Sequence, residues 1–228
     1  MPFNINNFSA EINSNGFARG DFFDVSFTGF PSKVVTAIKN STAPSVDVTS
    51  EIESLALRAE SVTTPQRAIT PIEYKDYGAP YKIGSTANYI EIDVTFILSK
   101  NMRERNFFLA WQDVITGDHR LRSTNARGSS FDLGYFDDYK CDGIEIRHFT
   151  GDDSNVLNRT DTPVYITQLR DAYPLNVGPV TRSWASAEIL KQQVTFTYRY
   201  FSERPSGFVE TRTKPERVGR NNSFFGAF

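Results

Sequence analysis

Very little in this sequence can hold a metal or form a disulfide. Its 228 residues include one cysteine, Cys141, and two histidines, His119 and His148. A single cysteine excludes an intrachain disulfide and suits a reducing compartment. A structural zinc site takes about four ligands, mostly Cys or His, so no standard one is available and no cofactor is expected. His148 sits on an alternating stretch with no second ligand nearby and reads as structural. Charge of one sign is lacking too: 25 basic residues face 27 acidic ones, a formal net charge of -2. No strong field therefore points to nucleic acid or to an anionic membrane. No apolar run approaches the length of a membrane-crossing helix. The amino-terminal MPFNINNFSAEINSNG lacks the apolar core of a signal peptide, so cytosolic synthesis and a soluble product are expected.

Catalytic motifs are missing as well. No G-x-S-x-G, P-loop or G-x-G-x-x-G pattern occurs. The carboxylates Asp137, Asp138, Asp142, Asp152 and Asp153 lack the ligand spacing of a calcium loop and read as solvated. Arg19-Gly20-Asp21 and Asn158-Arg159-Thr160 match short adhesion and glycosylation patterns of a length that arises by chance. An enzyme is not expected.

What is present is aromatic and alternating. Hydrophobic residues make up 39% of the chain and aromatics 14%, enough for one large β-rich domain with its own core. The one convincing amphipathic helix is predicted at about 101–116. Asn101 with Glu104 forms a capping box, and Phe107, Phe108, Trp111, Val114 and Ile115 make an apolar stripe at helical spacing. Gly117 ends it.

Strands are predicted where apolar and polar residues alternate. These are Phe23 to Phe27, Leu55 to Ala59, Ile90 to Leu98, Ile144 to His148, Val164 to Gln168, and a final strand from Val194 to Tyr200. Residues 37–53, rich in Ser and Thr, read as loop. So does Thr63 to Ala87, where Pro65, Pro71 and Pro80 forbid a central strand. A loop that long is usually functional, and Tyr74, Tyr77 and Tyr81 within it suit an interface. Pro174, Gly178 and Pro179 are expected to bend the chain before the last strand. The expected architecture is mainly β with one flanking helix: an antiparallel sandwich or partly closed barrel over 1–201. Residues 202–228 form an extended arm ending in Phe224, Phe225 and Phe228, which folds only against a partner.

The ordered set strand, NFFLAWQDVITGD, LGYFDDYKCDGIEIRHF, YITQLRDAYPLNVGPVTRSW and VTFTYRYF resembles the tail tube family of contractile-tailed bacteriophages. Trp111-Gln112 is similar to a pair on that family's single helix. Pro174 to Gly178, before Ser183-Trp184, is similar to its turn before the closing strand. The resemblance covers about residues 5–201. It implies a structural virion protein of the tail, assembled in the host cytoplasm. Copies would join edge to edge in six-membered rings that stack into a tube, with sheath and baseplate proteins as further partners. DNA would pass through without specific binding. Tyr74, Tyr77, Tyr81, Phe224, Phe225 and Phe228 are then candidate contacts between copies, and Glu91, Asp93 and Glu145 candidates for the channel wall. The extra arm keeps a second role open, the tube initiator or another junction ring at the baseplate. A different class, a monomeric ligand-binding β-barrel, is the remaining alternative.

Overall fold

The structure, a computed structural model, describes residues 20–41, 47–117, 133–149, 163–184 and 188–205, together with Ile5 and Ser9. Phe8, Ile12, Phe17, His119, Asp152, Asp153, the 158–160 tripeptide, Phe224, Phe225 and Phe228 lie outside the described residues. The chain is mainly β and antiparallel, as the alternation predicts. Its strands are β1 (Phe23–Thr28), β2 (Ala59–Val62), β3 (Gln66–Tyr74), β4 (Tyr81–Ile90), β5 (Ile92–Ile97), β6 (Cys141–His148), β7 (Tyr165–Val177), β8 (Lys191–Thr197) and β9 (Tyr200–Pro205). The helices are α1 (Ser32–Ser41), α2 (Val48–Arg58), α3 (Arg103–Thr116) and the single turn α4 (Phe136–Tyr139).

The large sheet runs β1-β6-β7-β8-β5-β2, and β9 also pairs with β7. Strand β7 belongs to both halves. Its first part pairs with β6 and β9, and its last part, Tyr173 to Val177, pairs with β8. The change falls beside Asp171, which has a left-handed φ of 53°. Lys140 at 3.2 Å and Arg199 at 3.6 Å hold its carboxylate. The result is sheet A (β1-β6-β7-β9) folded over sheet B (β7-β8-β5-β2). Phe27 of sheet A packs on Phe96 and Phe196 of sheet B, at 6.4 and 5.8 Å between ring centroids. Strands β1 and β2 stay unpaired to each other, so the sandwich does not close into a barrel.

Helix α3 plugs this sandwich. Phe107, Phe108, Trp111 and Val114 are buried, while Ile115 at the stripe's margin is only half-buried. Gly117 caps the helix with φ 66°, as expected. The amino end departs from the capping box. Asn101 does not cap; Met102 does, in a left-handed conformation with φ 51°. Glu104 reaches back to Ser99 instead, accepting from its N–H at 2.9 Å and its Oγ–H at 2.8 Å. Arg58 of α2 pairs with the same buried carboxylate at 3.2 Å.

Five further expectations are corrected. Residues 37–53 are not a loop, because α1 and α2 occupy most of them. Val34, Ala37 and Ile38 are buried at helical spacing, and so are Val48 and Leu55. Asp47 caps α2 by accepting from the Thr49 N–H at 3.2 Å. Leu55 and Leu57 are therefore helical, and only Ala59 starts a strand. Residues 63–87 are not a loop either: β3 and β4 form a hairpin, and Pro71 is tolerated because the register shifts there. Pro174 does not end β7, which runs past it at a second register shift. The final strand breaks after Thr197, and Tyr200 to Pro205 form β9, so the first residues of the arm are part of sheet A.

Two core groups set a response to alkali. Burial pushes the Cys141 thiol up to about 12, and burial likewise pushes the Tyr198 hydroxyl up to about 12. Both folded-state values lie above the ordinary ones, so their contribution is intact below about pH 9. It is lost as pH climbs towards 12, because the unfolded chain ionises first. The denaturation midpoint is expected to be lower at pH 11 than at pH 8. Cys141 is expected to resist alkylating reagents until the protein unfolds.

Candidate assembly surfaces

The first surface is the β3–β4 hairpin. Thr63 links it to the body: its N–H donates to the Asp93 carbonyl at 3.0 Å, and its Oγ accepts from the Asp93 N–H at 2.8 Å. Beyond that point the nine residues of β3 extend about 30 Å at the usual strand rise. Directly opposed residues share a face. Ile72 opposes Ile83 and Tyr74 opposes Tyr81, so two apolar cross-strand pairs lie on one side of the arm. The Tyr74 and Tyr81 rings are 5.4 Å apart. All four side chains are exposed, and Tyr77 at the tip is 100% exposed. Gly78 makes the tip turn with φ 112°. An isolated two-stranded hairpin is marginal in water, and this one presents its apolar side chains to solvent. The three tyrosines lie on one hairpin, which the prolines hide from a reading of the sequence.

The second surface is polar and has two sides. The outward face of sheet B carries Ser61, Asp93, Thr95, Asn176, Gln193 and Thr195, with Ile97 opposite Lys191 at one end, and pairing partners share that face. Asp93 accepts from Thr195 Oγ1 at 2.6 Å. The nearby cation, Lys191, is held by Glu60 at 2.5 Å. The outward face of sheet A is charged. Arg147 pairs with Asp24 at 3.0 Å, Glu145 accepts from Gln168 Nε2 at 3.0 Å, and Arg170 stands one row away. Because the core lies between the sheets, these faces point in opposite directions. Asp93 and Glu145 therefore lie on opposite faces of the sandwich, and Glu91 is exposed at the joint between β4 and β5.

Third, sheet B has two open borders, β2 and the last part of β7. Among the described residues no group of three His, Cys, Asp or Glu side chains is placed to hold a metal ion. Asp138 pairs with Lys33, and Asp137 with Lys140. His148 is half-buried within β6. No helix among the described residues is long and apolar enough to cross a membrane.

Open sheet borders and an exposed apolar arm are the surfaces that this fold leaves uncovered. The profile of the phage tail tube protein family matches residues 18–204, and the chain belongs to that family. Its fold is similar to a chain of the PVC sheath–tube complex of an extracellular contractile injection system in the extended state. That match has a TM-score of 0.52 at 14% identity, over 86% of this chain and 97% of the other. It is also similar to the tube-terminating cap of the anti-feeding prophage, with a TM-score of 0.51 at 12% identity, over 83% and 91%. No curated protein sequence matches significantly.

Proposed function

We propose that this tail tube family member forms six-membered rings that stack into a tube, with sheet B facing the channel. The observation that carries this reading is the chemistry of sheet B. Its outward face bears hydroxyls and amides, Asp93 accepts from Thr195, and the nearby cation Lys191 is held by Glu60. Repeated around a ring, such a wall gives passing DNA no row of cations to bind. Sheet A turned inward would line the passage with Arg170 beside the Arg147–Asp24 pair. Asp93 is therefore a wall residue, while Glu145 belongs to the outer side, towards a sheath. Joining β2 to β7 of the next copy removes both borders and makes a repeated head-to-tail contact that closes. The hairpin arms, with Ile72, Tyr74, Tyr77 and Tyr81, contact the adjacent ring.

Sedimentation of the purified protein tests this reading. A species of six times the chain mass, or longer polymers of it, is expected. A strict monomer at every concentration would exclude the ring and favour a self-contained domain.

A further inference from the structure

Which side chains close the ring follows from the two borders of sheet B and from one helix. All neighbouring strands of that sheet are antiparallel. Four strands in alternation leave β2 running opposite to β7. A copy rotated about the ring axis keeps its strand directions, so β2 of one copy meets β7 of the next in antiparallel sense.

Backbone pairing there is short. Strand β2 has four residues. The β7 border is blunted by Pro174, by the register shift beside it, and by Gln112 of α3, whose amide donates to the Leu175 carbonyl at 3.2 Å. Side chains must supply the rest of the contact.

Apolar side chains stand at both borders. Leu57, on the last turn of α2 just before β2, is 88% exposed. At the other border Leu175 is 52% exposed; Phe136, whose ring lies 6.1 Å from that of Tyr173 on the same strand, and its chain neighbours Leu133 and Tyr135 are 40%, 74% and 82% exposed. Helix α3 spans the distance between them. Its first turn holds α2 through Arg58 to Glu104 and Arg103 to Glu51. Its last turn holds the segment before α4 through the Gly134 N–H to the Ile115 carbonyl at 3.0 Å. Leu57 and the aromatic patch thus sit at opposite ends of a helix about 21 Å long. In a head-to-tail ring the patch end of one helix meets the Leu57 end of the next, and their dipoles then align favourably.

We infer that Leu57 of one copy seats against Tyr135, Phe136 and Leu175 of the next, and that this contact carries the lateral affinity of the ring. The inference rests on the ring reading above.

The test is Leu57→Lys. Glu53 lies one turn back on the same helix face, so the new lysine gains an i,i+4 partner and sits well at a helix carboxyl end; circular dichroism and melting temperature should match the parent. The concentration for half-maximal ring formation, read by sedimentation, should rise at least tenfold. Adding Tyr135→Glu to Leu57→Lys should restore most of the loss by pairing the two charges across the contact. Unimpaired assembly of Leu57→Lys, or failure of the double variant to recover, would overturn the contact while leaving the ring intact. A parent chain that forms no ring at all would instead remove the reading on which it rests.

Discussion

Replacing Trp111 by alanine is expected to lower the unfolding free energy by about 3–5 kcal/mol, the usual cost of emptying a large buried site. Its ring is fully buried. It touches Phe27, Phe30, Phe107 and Phe196 at centroid distances of 6.4, 4.9, 6.3 and 6.4 Å. Those rings come from β1, the turn after it, α3 and β8, so one side chain joins both sheets to the helix. The indole N–H also donates to the Tyr139 carbonyl at 2.6 Å, and alanine leaves that carbonyl without its partner. A domain of this kind has roughly 5–15 kcal/mol in total, so the variant should melt far below the parent or fail to fold. Trp184 provides the control. It is fully exposed in the single chain, and Trp184→Ala should leave the denaturation midpoint where it is. Equal effects from the two tryptophans would contradict the role given to α3.

Tyr77→Ala combined with Tyr81→Ala should do the reverse, sparing the fold and breaking the assembly. Both side chains face solvent on an arm that packs chiefly on itself, so melting should be unchanged. Aromatic anchors buried at a contact are worth about 2 kcal/mol or more each. Losing two should weaken ring stacking on the order of a thousandfold. Tube length in electron micrographs, at fixed protein concentration, reads the effect. Parent-length tubes from the double variant would take the hairpin out of the contact between rings.

Much of this was legible in the sequence where a period was strong. The stripe from Phe107 to Val114 and the alternation from Ile92 to Phe96 each name their element and their buried face, because both periods are undiluted. Helix α2 was not legible for the opposite reason. Val48, Ile52 and Leu55 keep helical spacing, but Thr49, Ser50 and Ser54 dilute it, and Leu57 with Leu55 mimics a strand. The Asp47 cap was the signal that marks it. Pro71 misled because a proline rules out a regular ladder position, not a bulge in a two-stranded arm. Asp93 and Glu145 show a limit of another kind. Alternation tells which side chains leave the core, but only the fold of β7 around Asp171 tells that their two sheets face opposite ways.

In the proposed ring, copies of this chain enclose a passage walled by the β7-β8-β5-β2 sheet. The most direct measurement is an end-on electron micrograph reconstruction of the purified assembly. Six subunits around an open channel, with Asp93, Gln193 and Thr195 on its wall and Arg147 outside, is the predicted result. A solid particle, or a channel walled by Arg147 and Arg170, would contradict the account.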